Sequence, residues 1–517
     1  MLEFRRQLYT HITHNWLFWL YAIAIILVSF FHFWQIGSIP RGLYVDESGI
    51  GYNSLLIGRT GVDEHGKKWP IYFESFGDYK SPLVVYATAL TTSILGPSDF
   101  SVRLTGFIFH ILLLIGMYLL ATELFPHQKS IGLYAFIATG FLPWIFTISR
   151  LGFEVVTQPA LVVLALWLLL KTERTARQTK GILYAAFAGA VVGLSLYSYS
   201  TARLLTPLMA ISWFTLYFFK LPKERIISFS SSLIFVCLPH IYYYLTQPDH
   251  LTARFKLLTY IYNPALSLTE KVATFLTKYF SYFGPEFLIF NAIEPRLHMT
   301  NFGGELLIAV FFLACLGIIV LVSGKKIVSR RFTIFLAINF LLSPIAASLT
   351  GPIGEHPHGF RSILLGIYFI IFSLFGFSFL LNITDRFTRR ALIATVMLIF
   401  TVQTTLFLHN YFFVYPSTTI AEFQSYNFPE AFKKALAEKP KRIIVSSSAN
   451  QPYMHAKFYR EAIGHSEETF PFSLEPPIPQ LDTCLIYFTW NDNIVNQSPL
   501  PFRELTPANN FTKVRCY

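Results

Sequence analysis

Between Leu43 and Pro82 the chain reads LYVDESGIGYNSLLIGRTGVDEHGKKWPIYFESFGDYKSP, a polar island with two acidic pairs, Asp46/Glu47 and Asp63/Glu64, and with Lys80 near its end. A carboxylate can take the proton from a hydroxyl as that hydroxyl attacks carbon. Lys and Arg can neutralise a departing phosphate without a metal. The cationic candidates for that second task are Lys80, Arg203 at the end of the Tyr-Ser-Tyr-Ser-Thr-Ala-Arg run 197–203, and Arg361 at the end of His-Pro-His-Gly-Phe-Arg 356–361. Other readings stand beside these. Asp46 and Glu47 could cap a helix that begins near Ser48, and Arg203 or Arg361 could anchor a span end in the headgroup layer. Arg150 and Glu154 sit at i, i+4, the spacing of a helical ion pair. His356 and His358 flank Pro357 and lack a third clustered ligand of metal-site spacing, so they are expected to hydrogen-bond a phosphate or sugar rather than hold zinc.

The elements that must position these residues are set by composition. At 517 residues, 53% hydrophobic and 14% charged, the chain is too apolar for an ordinary water-soluble globule. Its formal charge of +12 is dispersed in short clusters between apolar runs, which excludes the concentrated basic face of a nucleic-acid-binding domain. No glycine-rich phosphate loop, repeat or C-x-x-C spacing is present. Eleven runs are long enough to cross a bilayer, near 16–34, 104–124, 131–149, 155–170, 181–197, 204–219, 227–245, 305–323, 332–350, 362–382 and 391–408. Leu83–Leu95 is too short and is expected to lie at the interface or re-enter.

With a cytoplasmic N-terminus, alternate connections collect the basic residues: Arg5 and Arg6, Lys129, the 171–180 cluster, Lys220 to Arg225, Lys325 to Arg331, and Arg386 to Arg390. The 35–103 loop, the 246–304 loop, the short 351–361 loop and the tail from 409 then fall outside. In the 246–304 loop, Leu268, Val272, Phe275, Leu276, Tyr279 and Phe283 recur as on a helix lying along the membrane surface, or on an ordinary packed one. Glu286, Arg296 and His298 lie in the same loop without a motif that assigns them roles. The tail predicts helices over Phe428 to Ala437 and Pro452 to Ala462 and strands over Arg442 to Ser446 and Cys484 to Trp490, a small α/β domain. Cys484 and Cys516 could bridge there in an oxidising compartment or remain free. The chain thus divides into a transmembrane part, 1–408, and an extracytoplasmic domain, 409–517, of a multi-pass protein of the cell membrane.

Asp46-Glu47 after the first span, Gly-Asp-Tyr-Lys-Ser-Pro-Leu at 77–83, Phe-Ser-Val-Arg-Leu at 100–104, Pro143-Trp144 with Ser149-Arg150 and Glu154, and the 197–203 run together resemble the GT-C polyprenyl-phosphate-dependent glycosyltransferases. The likeness is to the branch of the protein O-mannosyltransferases and lipid A aminoarabinose transferases. It implies a polytopic GT-C fold and inverting transfer of a sugar from a polyprenyl phosphate to an acceptor hydroxyl on a protein, lipid or glycan. No cofactor or metal is implied beyond the lipid-linked donor. The membrane lipids and an unidentified acceptor are the remaining partners, and no nucleic acid is among them. On the resemblance Asp46 is the general base with Glu47 as its substitute, and Lys80 binds the donor phosphate; Arg361 and Arg203 are expected to bind it as well. Glu154, Arg150, His356 and His358 then contact sugar or acceptor. Ser81 separates Lys80 from Pro82 where the family places them together, and no Asp-x-Asp occurs in the outer loops. The competing functions are a transporter or flippase of a lipid-linked sugar, which calls for ionisable groups at the bilayer midplane, and an envelope glycan ligase built around a large, basic late loop.

Overall fold

The computed structural model describes residues 16–290, 300, 302–324, 327–465 and 471–517. Each of the eleven apolar runs lies in a helix or a broken helix pair, because a backbone surrounded by apolar side chains must satisfy its own hydrogen bonds. The elements used below are α1 (Trp16–Phe33), α2 (Val45–Thr60), β1 (Phe73–Ser75), β2 (Asp78–Lys80), α3 (Pro82–Leu95), α4 (Asp99–Leu124), α5 (Lys129–Phe141), α6 (Pro143–Ser149), α7 (Thr157–Arg174), α8 (Gln178–Ser195), α9 (Ala202–Tyr217), α10 (Lys223–Thr246), α11 (Pro248–Leu258) and α12 (Leu268–Ser281). They continue with α13 (Ile308–Val322), α14 (Arg330–Leu342), α15 (Ile363–Leu381) and α16 (Arg386–His409).

Among the described residues six helices are long and apolar enough to cross a membrane, or seven if the pair α5 and α6, bent by 60° at Pro143, is one span. The expected eleven crossings are therefore helical but not all of spanning length. α3 is 14 residues long; its buried Thr88, Thr91 and Thr92 bond to helix carbonyls and to Thr105, which explains threonine in an apolar run. The last run extends further than expected, with helical backbone to Thr418 rather than 408. α15 is the central helix and is 94% buried in its apolar window, whereas α10 is 11% buried and peripheral. α13 crosses α15 closely: a Cβ on Gly317 would stand 1.9 Å from the Phe372 carbonyl oxygen, so only glycine allows this approach.

The stripe expected along 268–283 divides in two. Tyr279 donates to the Leu341 carbonyl and Phe283 packs on Phe340, while Leu268, Val272 and Leu276 remain exposed on α12 and Phe275 is half-buried.

Beyond α16 lie α17 (Phe428–Ala437), β3 (Arg442–Ser446), α18 (Pro452–Ala462), β4 (Phe472–Glu475), β5 (Thr483–Phe488), β6 (Arg503–Glu504) and β7 (Thr512–Cys516). The sheet order is β4-β3-β5-β7-β6, with β3 parallel to β4 and β5, and β7 antiparallel to β5 and β6. Cys484 and Cys516 face each other across β5 and β7 and form a disulfide. The strand expected to reach Trp490 ends at Phe488, which frees Trp490 from the ladder. This unit sits on the back of α2: Ser48 Oγ and His455 Nδ1 are 2.7 Å apart, Arg59 pairs with Glu461 at 2.8 Å, and the Phe458 ring meets Gly51. Arg5, Arg6, Arg296, His298, Lys325 and Lys326 lie outside the described residues.

Candidate active site

The site grows from a short hairpin. β1 and β2 are joined by Phe76 and Gly77, both at positive φ (57° and 71°), the conformation of a tight two-residue turn. Alternation along β2 then sends Asp78 and Lys80 to one face. Lys80 Nζ lies 2.9 Å from Asp46 Oδ1 and 3.9 Å from both Asp78 Oδ2 and Glu154 Oε1. Burial pulls the Lys80 ammonium toward its neutral form, but the three carboxylates, Asp46 foremost, outweigh it and raise its pKa. Asp46 belongs to the first turn of α2, where the helix N-terminus favours an anion. Glu154 Oε2 accepts from the Ser81 amide at 3.0 Å, which ties the hairpin to the 154–156 turn. Asp78 Oδ2 also lies 3.6 Å from Arg254 Nε on α11.

These groups line a cavity of about 320 Å³ that is completed by Tyr44, Tyr199, His358, Arg361 and Glu422. A second cleft of about 350 Å³ shares Tyr199, Ser200, Arg254 and Arg361 with the first. Its remaining wall is mostly apolar, with Leu204, Leu251, Phe255, Leu258 and Leu349 beside Thr201, Thr252 and Thr350, and Arg203 stands at its side. Charged and apolar volumes thus meet at one guanidinium pair, Arg254 and Arg361.

The other expected site residues are distributed as follows. Glu47, adjacent to Asp46, does not face the cavity. It is fully buried, pairs with Arg103 at 3.0 Å and accepts from the Tyr44 and Gly152 amides at 3.0 and 2.8 Å. Arg150 is fully buried and donates to the carbonyls of Phe31, His32 and Trp34 at 2.7, 2.6 and 2.8 Å, closing the C-terminus of α1. The Arg150–Glu154 helical pair does not form, because α6 ends at Ser149 and Glu154 begins a new turn. Arg203 donates to the Leu251 and Tyr79 carbonyls at 2.9 and 2.8 Å and covers the Tyr72 ring, so two of its nitrogens brace α11 and the hairpin. His358 lines the first cavity, but His356 lines a different one of about 590 Å³ together with Lys278 and Glu286. Arg361 is 3.5 Å from Glu355, which is itself 3.7 Å from Lys278. Among the described residues no three His, Cys, Asp or Glu side chains gather as a metal site. Asp63 and Glu64 are structural: Asp63 Oδ1 accepts from the His65 and Lys67 amides, and Glu64 meets Asn53 and Lys457.

Asp78, Arg254, Tyr44, Tyr199 and Glu422 were not singled out by the sequence. The signal for Asp78 was its i, i+2 spacing from Lys80 in a strand. Arg254 carried none, since only the fold brings α11 over the hairpin.

Residues 79–243 match the family model described as dolichyl-phosphate-mannose-protein mannosyltransferase. That stretch contains Lys80, Glu154 and Arg203 and leaves out Asp46, Arg254 and Arg361. By sequence, no curated protein matches the chain. By fold it is similar to ArnT from Cupriavidus metallidurans, solved in the apo state and bound to undecaprenyl phosphate, with 10% identity and a TM-score of 0.56 over 97% of this chain and 98% of that one. It is also similar to the oligosaccharyltransferase of Archaeoglobus fulgidus in the apo form, with 14% identity and a TM-score of 0.53 over 89% of this chain and 64% of that one. A match to the mannosyltransferase family model over 79–243 is thus carried on a chain whose fold, over nearly its whole length, is similar to that of ArnT.

Proposed function

We propose that the protein transfers a sugar from a polyprenyl phosphate to an acceptor hydroxyl, with inversion, at the extracytoplasmic face of the cell membrane. The observation that carries this reading is the junction of two cavities at Arg254 and Arg361. One side is polar and holds Asp46; the other is walled by leucines and suits an isoprenoid tail. One ArnT structure is described as bound to undecaprenyl phosphate, and one structure of the archaeal oligosaccharyltransferase AglB as bound to a dolichol phosphate, so lipid phosphates are ligands of this fold.

In this mechanism the donor phosphate is held by Arg254, Arg361 and Lys80, and the sugar occupies the cavity beside Glu154, Tyr199 and His358. As the phosphate draws Lys80 away, Asp46 loses its ion-pair partner and gains basicity toward the acceptor hydroxyl. The hydroxyl oxygen attacks the anomeric carbon, Asp46 takes its proton, and the bond from that carbon to the phosphate oxygen breaks, its electron pair leaving with the phosphate, whose negative charge the three cations neutralise. Three cations can serve the leaving phosphate without a metal. Glu47 and Arg150 are assigned to support: Glu47 fixes the start of α2 and Arg150 closes α1. A transporter reading is less well served, since the ionisable groups gather at the loop side of the helices. A glycan-ligase reading leaves the acids of the first loop without a task.

Asp46→Asn is expected to lower release of free polyprenyl phosphate from polyprenyl-phosphate sugars by at least about 10²-fold, the usual worth of a general base, with thermal unfolding unchanged and wild-type activity intact in a chelator. Retained activity in Asp46→Asn would remove Asp46 from the mechanism, and loss of wild-type activity to chelation would replace the cation account with a metal.

A further inference from the structure

We propose that the C-terminal sheet carries a carbohydrate-binding crevice between the ends of β3 and β5, and that this crevice seats the acceptor glycan. The second clause rests on the glycosyl-transfer reading above; the first does not. From β3 the chain crosses to β4 on one side and then returns to β5 on the other. In parallel sheets such a reversal parts the two following loops and opens a ligand crevice beyond the carboxyl ends of the strands. Here the loops are 447–451 and 489–491.

The groups at this place suit a sugar. Trp490 is 42% exposed and stacks on Phe488 with centroids 5.0 Å apart and planes 19° from parallel. Its Nε1 donates to Ser448 Oγ at 2.9 Å, so the indole is a fixed plate bridging both loops. A rigid aromatic plate meets the C–H face of a pyranose at little entropic cost. Beside it Asn491 is 3% exposed, and its Oδ1 accepts from the Phe488 amide at 3.2 Å and from Ser448 Oγ at 2.9 Å. The backbone donor fixes the amide orientation and leaves Nδ2 to donate, without a protein partner among the described residues, to a sugar hydroxyl.

Two short chain links lead from the crevice toward the reaction cavity. Gln424 accepts from the Asn450 amide at the crevice, and Glu422, two residues earlier, lines the cavity. Tyr453, just after the 447–451 loop, meets Phe76, two residues before Asp78. A glycan lying on Trp490 therefore extends along the docked α2 surface toward Asp46.

The test uses the full chain in lipid nanodiscs on an array of neutral and acidic oligosaccharides that includes mannose, glucose and N-acetylglucosamine oligomers, with no donor present. Wild type and Asp46→Asn are expected to bind the same glycan. Trp490→Ala should weaken binding about tenfold, the scale of a lost stacking contact, and Trp490→Phe should restore most of it. Thermal unfolding and the Cys484–Cys516 disulfide, checked by intact mass, confirm that the variants fold. Donor release without acceptor should stay at the wild-type level in Trp490→Ala. No glycan bound by wild type, or equal binding by Trp490→Ala, overturns the proposal. Glycan binding through Trp490 with no donor released by wild type would leave the crevice standing and fell the transferase reading instead.

Discussion

Asp46 and Glu47 are neighbours in sequence with opposite surroundings, because successive helical side chains turn by roughly 100°. The turn that aims Asp46 at Lys80 aims Glu47 at Arg103 and into the protein. Sequence alone proposed both a catalytic and a capping role for the pair. Each residue takes the geometry of one: Glu47 accepts from the amide of Tyr44, just before the helix, while Asp46 borders the cavity. What the sequence could not provide was the helix start, Val45 rather than a point near Ser48, and with it the rotation of the two carboxylates. The difference is measurable. Removing one partner of a fully buried ion pair costs about 3–5 kcal/mol, so Glu47→Ala should lower the unfolding temperature by several degrees while Asp46→Ala leaves it near wild type. A Glu47→Ala protein that melts like wild type but cannot turn over donor would return Glu47 to the chemistry.

At the scale of elements, the tail helices and β3 were legible to the residue because their apolar periods are clean and punctuated by Asn427, Pro429 and Pro452. The β1–β2 hairpin was not, since each strand has three residues and its turn is Phe-Gly rather than Asn-Gly. Yet that hairpin carries Asp78 and Lys80. The seam between α18 and α2 makes a pH prediction. His455 is fully buried against Ser48, and burial lowers its pKa from 6.5 to about 3. Below pH 6.5 the unfolded chain binds a proton at His455 that the folded chain refuses until about pH 3. Stability at this seam is therefore complete above pH 6.5 and falls as pH drops, by up to about 1.4 kcal/mol per pH unit. Melting curves from pH 8 to pH 5 should show that decline in wild type and a flatter profile in His455→Gln. Equal slopes would mean that His455 escapes its burial before unfolding.

At the scale of the whole molecule, apolar run length read helices correctly, the excluded Leu83–Leu95 among them, but not every counted run is of spanning length, because α1 and α13 are apolar but short, α9 has only 16 residues and the α5–α6 pair breaks at Pro143. Charge bias offers an independent route to orientation. The basic connections 171–180, 220–225 and 386–390 lie between helices on the side opposite the hairpin, α11 and the tail if each long helix crosses once. The disulfide between Cys484 and Cys516 agrees, since such bonds persist in oxidising compartments. Both arguments favour the proposed orientation, with the Asp46 cavity outside and the basic loops in the cytoplasm, and labelling tests it. In a chain whose free cysteines, Cys237 and Cys315, are replaced by serine, a membrane-impermeant maleimide applied to intact cells should label a cysteine introduced at the exposed Ser267 and spare one at the exposed Lys220 until the cells are opened. Labelling of Lys220→Cys in intact cells with protection of Ser267→Cys would invert the molecule. It would also place the site where an extracytoplasmic acceptor never arrives.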